Sequence, residues 1–425
     1  MTTRQSETGA ELPPAGTATG PVPAAEAPAT FRDVFAVGEY RVLWLAMVLS
    51  LVGDQIAVVA LTWLVYDTSN SPLLAAATYS ISFLPWIIGG PLLSGLADRL
   101  PRRELMVACD VVRAGLVLAM VVPGAPIWVL CVLLFAAEAL SPPFGAARAA
   151  LMPDVLPDDR YVIGTAVNNV TQMLGQVAGF AGAGILVAVL RPSASLAINA
   201  VTFLVSAALI WFGVRHRPPA RGERAALGGL LPDALAGLRL LLRRRDLRSL
   251  AGFGLLCVFY VVPEGLAVPY TRELGGGPVA AGLMLAAAPF GSAVGGLAFG
   301  RLVAPARRLR LMAPLAVLSC AVLVLCALRP SLPVVLVVLV ASGLASAYQL
   351  AANAAFVSAV PPQARGQAFG IVQAAMNVGQ GVTIIAAGAA AQLWSPAWVI
   401  AAVGVLGAGA ASWLATDARR GETSP

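Results

Sequence analysis

Asp54, Asp110, Arg113, Glu138 and Glu264 each lie inside a long apolar stretch of the sequence. An ionised side chain at the centre of a bilayer costs about 2.5–3.5 kcal/mol on insertion scales, so each needs a partner, a wet cavity or a bound proton. The chemistry open to them is proton uptake and release, or recognition of a charged solute. Asp54 shares a small, polar stripe with Ser50, Gly53 and Ala57 at three-to-four-residue spacing, and the stripe is expected to face a central cavity. Glu264 follows Pro263 and precedes Pro269. Pro263 interrupts helical bonding, so the chain is expected to bend there and turn Glu264 toward open space, where it would meet a cationic group. Glu138 reads equally as a proton site or as a packing acid. Asp110 and Arg113, three residues apart on one helix face, are predicted to form a structural ion pair. Asp54, Glu138 and Glu264 are therefore the proton-coupling candidates.

Amides and aromatics supply a second set. Asn168 and Gln172 share one helix face with Gln176, and Gln373 and Asn377 share another with Gln380. Substrate hydrogen bonding and interhelical bonding are both open to them. Trp63, Tyr260 and Tyr348 could wall a cavity or simply pack. These seven (Trp63, Asn168, Gln172, Tyr260, Tyr348, Gln373, Asn377) are the substrate-binding candidates.

Other chemistries lack their residues. The chain has 28 arginines and no lysine. A P-loop needs a lysine on the phosphates and a Schiff-base site needs a lysine amine, so ATP bound by this chain drives nothing. His216 is the only histidine, which leaves no histidine-based metal site. The cysteines (Cys109, Cys131, Cys257, Cys320, Cys326) form no CxxC pair and read as small packing residues. No G-x-S-x-G or H-E-x-x-H occurs. No catalytic residue, cofactor or metal is expected.

The elements that must position these residues are membrane helices. The chain is 59% hydrophobic and 12% charged, with mean hydropathy +0.82; a soluble protein carries about 25% charged residues. Continuous apolar runs read as helices, which satisfy their own backbone in lipid, and not as the alternating strands of a barrel. Twelve are predicted, at roughly 41–66, 75–97, 104–122, 126–147, 162–190, 194–214, 250–271, 279–302, 310–328, 332–358, 366–392 and 396–415. Residues 1–30, rich in Pro, Ala, Thr and Glu, read as a disordered tail, and 416–425 as a second tail. With both termini cytoplasmic, 24 of the 28 arginines fall on the cytoplasmic side, which fixes orientation and supports the helix count. The net charge of +7 is then a topology signal, and nucleic acid is not an expected partner.

The chain repeats itself. Pro72, Gly89, Gly90, Arg102 and Met106 recur 206 residues later as Pro278, Gly295, Gly296, Arg308 and Met312; Gly164 and Gly179 recur 202 later as Gly366 and Gly381. Two parallel six-helix halves, 31–214 and 250–415, joined by a basic linker at 215–249, form a transporter plan with its site between the halves. Within the linker, 232–247 reads as an amphipathic helix on anionic lipid.

Between the second and third helices the sequence runs Gly95-Leu-Ala-Asp98-Arg99-Leu-Pro-Arg102-Arg103. This resembles the G-x-x-x-D-R-x-x-R-R loop of the major facilitator superfamily, shifted by one residue at the glycine. The text at 51–73 and 95–114 is similar to the branch of enterobactin exporters and macrolide efflux pumps. The resemblance implies an all-α integral membrane protein, twelve transmembrane helices in two pseudo-symmetric six-helix halves. It also implies a conformational latch of Gly95, Asp98, Arg99, Arg102 and Arg103, in which Asp98 pairs with arginine and faces the positive end of the eleventh helix near Arg365. The second half departs: Ala304 stands where Asp98 would recur, so the latch is expected to be one-sided. Helix five has the glycines of the antiporter signature (Gly175, Gly179, Gly182, Gly184) without its proline.

The function expected is a monomeric, proton-coupled exporter of a small amphipathic cationic or neutral compound, in the cytoplasmic membrane. A proton-coupled importer, a siderophore exporter and a non-transporting membrane sensor remain as alternatives.

Overall fold

The computed structural model describes residues 30–85, 100–218, 238–239, 241–361 and 364–422. Its described elements are helical throughout, and nine stretches among the described residues are long and apolar enough to cross a membrane. Predicted spans and helices correspond as follows. α1 is Gly38–Ser69 and α2 begins as Pro72–Ser80. α3 is Arg102–Met120; α4 runs as Ile127–Glu138 and Ser141–Val155, broken before Pro142 and Pro143. One 55-residue helix, Asp159–Gly213, kinks at Arg191 and so supplies both α5 (159–190) and α6 (192–213). In the second half α7 is a chain of pieces: Arg245–Leu255, Cys257–Tyr260, Val262–Gly265 and Ala267–Glu273. α8 is Pro278–Leu302 and α9 is Pro305–Ala321 with a tighter last stretch, Val322–Leu328. α10 is Leu332–Ala345 and Tyr348–Ala359; α11 is Arg365–Ala390; α12 is Pro396–Glu422.

Local chemistry sets these boundaries. α1 ends because Asn70 takes a left-handed conformation (φ 51°), and α2 starts at once because Ser71 accepts from the Leu74 amide with Pro72 in the first turn. Arg191 is forced out of helical geometry (φ 68°, ψ 160°) by the following Pro192. That conformation costs on the order of 1–3 kcal/mol in a non-glycine residue. The breaks in α7 flank Pro263, as the sequence leads one to expect.

Much of the outer surface is apolar. Phe212 and Leu302 are 86% and 82% exposed, and an apolar surface of this extent fits lipid, not water. Inside, small residues set helix distances. A Cβ on Gly343 would stand 2.1 Å from the Ala288 carbonyl oxygen, and one on Gly291 2.2 Å from that of Val340, so α8 and α10 cross backbone to backbone.

Among the described residues the halves meet at the end opposite the start of α1 and the end of α12, here called the far end; the other is the terminal end. There Gly184 of α5 and Gly282 of α8 touch so closely that a Cβ on Gly184 would lie 2.9 Å from the Gly282 Cα. Gly388 of α11 packs on Pro72, Leu73 and Ala76 of α2. Polar contacts follow: Arg272 of α7 pairs with Asp67 of α1, and Gln392 donates to the Ser71 hydroxyl at 3.0 Å. At the terminal end a cavity of about 270 Å³ opens among α7, α10 and α11. Among the described residues the halves touch at the far end, around a surface hollow lined by Tyr66, Pro72, Arg272 and Glu273, while the smaller cavity lies at the terminal end.

Candidate functional site

The charged residues gather in the first half around Arg113. Gly53 permits this: a Cβ there would meet the Asn199 Oδ1 at 2.2 Å and the Thr202 hydroxyl at 2.6 Å, so α6 lies directly on α1 beside Asp54. Arg113 of α3 is 1% exposed and stacks on the Phe203 ring, 4.2 Å from its centroid. It donates to Asp54 and, at 3.0 Å, to the Ser50 hydroxyl. Glu138 of α4 is 8% exposed and within electrostatic reach of both Asp54 and Arg113. Asp110 is fully buried one turn from Arg113, with the Ser206 hydroxyl beside its carboxylate. Three carboxylates thus share one guanidinium.

This corrects two expectations. Asp110 and Arg113 are not an ion pair; Arg113 feels the charge of Asp110 but extends across to α1, where Asp54 and Ser50 offer two acceptors. The stripe of Ser50, Gly53 and Ala57 does not line an open cavity either. These residues are buried against neighbouring helices of the same half, and only the Asp54 side chain, 24% exposed, keeps an accessible edge.

Glu264 is placed otherwise than its proline suggests. The break around Pro263 turns it across the halves, where the Tyr79 hydroxyl of α2 donates to its Oε2 at 2.6 Å. It faces a partner and not open space. Trp63 also serves the closed end: it is 6% exposed, and the Arg272 guanidinium sits 4.4 Å from its ring centroid.

The remaining candidates divide. The fully buried Tyr348 donates to the Phe253 carbonyl at 3.1 Å, holding α10 on α7. Asn168 accepts from the Tyr40 hydroxyl at 3.3 Å within the first half. Gln172 is exposed. Gln373 lies on the terminal-end cavity, with its amide 3.4 Å from the Asn377 oxygen. Tyr260 accepts a 3.1 Å bond from Gln349, whose amide nitrogen also donates to the Gly254 carbonyl at 3.0 Å. Gln349 and Asn353 were not singled out in the sequence, yet both line the cavity. Their signal was available: two amides four residues apart on α10, the same pattern that marked α5 and α11. Asp67 and Arg272 were missed too, although Arg272 is among the few arginines that break the charge bias.

A family comparison agrees with this architecture. The sequence model of the Major Facilitator Superfamily matches residues 43–268 and 265–425. The chain belongs to the major facilitator superfamily. Its long apolar helices are those of a multi-pass membrane protein. Macrolide efflux protein A of Streptococcus pyogenes is 23% identical over 273 residues, 62% of this chain and 66% of that protein. The MFS-type transporter YvqJ of Bacillus subtilis is 23% identical over 265 residues, 60% and 62% of the two. The chain thus spans slightly under two thirds of the curated relatives it matches. Among solved structures, a variant of the nucleoside transporter NupG superposes with a TM-score of 0.73 at 14% identity, covering 89% of this chain and 98% of that one. A bacterial homologue of the human lysosomal transporter Spinster gives 0.69 at 14%, with 89% and 96% covered. At such identities these likenesses show the fold.

Of the residues expected to form a latch, Gly95, Asp98 and Arg99 lie outside the described residues. Arg102 donates at 2.8 Å to the Ala150 carbonyl and at 2.8 Å to Asp154 of α4. Arg103 lies over Trp211, 4.4 Å from the ring centroid. Asp98 is therefore not the only acid available to this arginine cluster, since Asp154 already holds one member. In the second half, Arg308 donates to the Gly300 and Val303 carbonyls at the end of α8, a helix-capping task.

Proposed function

We propose that this transporter is a proton-driven exporter, an antiporter that takes a small amphipathic compound, cationic or neutral, from the arginine-rich side and releases it at the far side. The observation that carries the coupling is the cluster of Asp54, Glu138 and Asp110 around Arg113. Three carboxylates against one cation leave negative charge in a poorly solvated interior, which is tolerated when protons occupy the surplus sites. Asp54 is the proton carrier of this reading, because it is both Arg113's direct partner and the most accessible of the three. A proton crossing the membrane supplies about 2.3 kcal/mol per 100 mV.

The arginine bias supports cytoplasmic termini in the cell membrane. The basic stretch at 215–249, part of which lies outside the described residues, then rests on anionic lipid of that face. A single chain contains both halves and the cavity, so a monomer suffices. The name of the Streptococcus relative, which shares 23% of matched residues, supports efflux and a role in antibiotic resistance. The test is flux in proteoliposomes. An imposed pH gradient should drive counterflow of a labelled macrolide or lipophilic cation, with proton movement that depends on cargo. Cargo movement indifferent to the pH gradient would overturn proton coupling.

A further inference from the structure

The charges and the cavity lie in different halves. Asp54, Asp110, Arg113 and Glu138 all belong to the first six helices. Among the described residues the terminal-end cavity is lined from α7, α10 and α11, and none of these lining residues is charged. Three amides are: Gln349, Asn353 and Gln373. Around them stand Phe356, Phe369 and Met376.

Gln349 is a built feature of this wall. Its amide nitrogen is fixed by the Gly254 carbonyl at 3.0 Å, the Tyr260 hydroxyl at 3.1 Å and the Tyr348 hydroxyl at 3.3 Å. With the nitrogen engaged, its carbonyl oxygen remains to accept. Gly254 adds no side chain; a Cβ there would only approach Val372 and Met376 at 3.8 and 3.9 Å. Asn353, one turn along α10, is exposed and offers a donor and an acceptor. Gln373 faces in from α11. An apolar cavity with a few convergent polar groups is the general form of a small-molecule site, and about 270 Å³ puts this one at the small end of that class.

We propose that this cavity is the cargo-docking site, and that it selects uncharged ring compounds bearing carbonyl or hydroxyl groups. A cation meets no carboxylate on these described walls: their polar side chains are neutral amides, and Asp54, Asp110, Glu138 and Glu264 all lie off the cavity lining. An uncharged carbonyl compound pairs with the Asn353 and Gln373 amides while its ring covers Phe356, Phe369 and Met376. Selection and proton handling are then divided between the halves. The inference rests on the transporter reading in calling the ligand cargo; the binding it asserts needs no gradient.

The test is binding by the full chain in lipid nanodiscs with no gradient imposed. Probes are tritium-labelled progesterone and two further uncharged keto- or hydroxyl-bearing ring compounds, with labelled tetraphenylphosphonium as the cationic comparator. At least one uncharged probe should bind, more tightly than the cation. Gln373→Leu should weaken it about tenfold, the usual scale for one lost hydrogen bond. Asn353→Trp, which fills the cavity, should abolish it while leaving the melting temperature unchanged. Asp54→Asn should leave binding intact yet stop gradient-driven flux. Failure of every uncharged probe to bind, or binding untouched by Asn353→Trp in folded protein, overturns the proposal. Binding that behaves as stated in a protein showing no proton-driven flux removes the exporter reading and leaves this site standing.

Discussion

Replacing Asp54 by asparagine keeps an oxygen for Arg113 to bond but removes a titrating group. The variant should therefore insert and fold normally, and pH-driven counterflow in proteoliposomes should fall to background. Arg113→Leu is a different lesion. It leaves Asp54, Glu138 and Asp110 without a cation, and stranding buried charge typically costs about 3–5 kcal/mol. A clear drop in melting temperature in detergent, larger than that of Asp54→Asn, is the expected reading. Tyr79→Phe deletes the hydroxyl that reaches Glu264 across the halves. A hydrogen bond contributes about 0.5–1.5 kcal/mol net, about two- to tenfold in an equilibrium, so far-end opening should rise by that factor. Glu264→Gln keeps an acceptor for Tyr79 and should open the far end less; a thiol probe reacting with Ala76→Cys reports both. That these five ionisable residues lie within long apolar helices was legible from the sequence. Which of them pair was not. Asp110 is Arg113's neighbour along the helix, but Ser50 and Asp54 become its neighbours in space only because Gly53 lets α6 press onto α1. Such a contact between distant segments leaves no mark in local spacing.

At the scale of the helix, small residues perform two distinct tasks. Gly343 sits within the second half, where α8 and α10 stay together through any rocking of the halves. Gly282 sits between the halves, on a contact that alternating access must break. Gly343→Val should cost about 1–3 kcal/mol of stability by overpacking and lower the melting temperature. Gly282→Val should leave the fold intact and hold the far end apart, because the halves can separate there as rigid bodies. A calorimetric scan together with far-end thiol labelling distinguishes the two; equal destabilisation by both would show that the α5–α8 contact is permanent. The helices themselves were largely readable: hydropathy and proline position predict the spans, and the structure keeps them wherever it is described, the second beyond residue 85 lying outside that range. The interruptions were less so. The break in α4 before Pro142 and the continuity of α5 with α6 through Arg191 depend on how the chain resolves a local conflict, and hydropathy averages over it.

For the whole molecule, two gates must oppose one another. The far gate is visible: Asp67 with Arg272, Trp63 beneath that arginine, Ser71 with Gln392, and the glycine contacts. The near gate is the proposed latch, centred on Asp98. Magnitudes separate the parts of the far gate. Asp67 and Arg272 are 56% and 42% exposed, and such a pair is worth about 0–1 kcal/mol. Asp67→Asn should therefore raise far-end labelling of Ala76→Cys no more than about fivefold. Gly388→Leu strikes the packed seam itself, where a Cβ would already lie 2.5 Å from that of Ala76 and 3.1 Å from the Leu73 Cα, and should open the far end much further. Asp98→Asn should act in the opposite direction. Weakening near-end closure raises labelling of a cysteine in the terminal-end cavity, Asn353→Cys, and lowers far-end labelling, since one population gains what the other loses. Asp154 limits the size of this effect, because Arg102 keeps a carboxylate partner when Asp98 is neutral. The double variant Asp98→Asn with Asp154→Asn should therefore exceed either single change in near-end labelling. If both ends become more reactive together, the protein has loosened rather than tilted, and the two gates do not belong to one rocking motion.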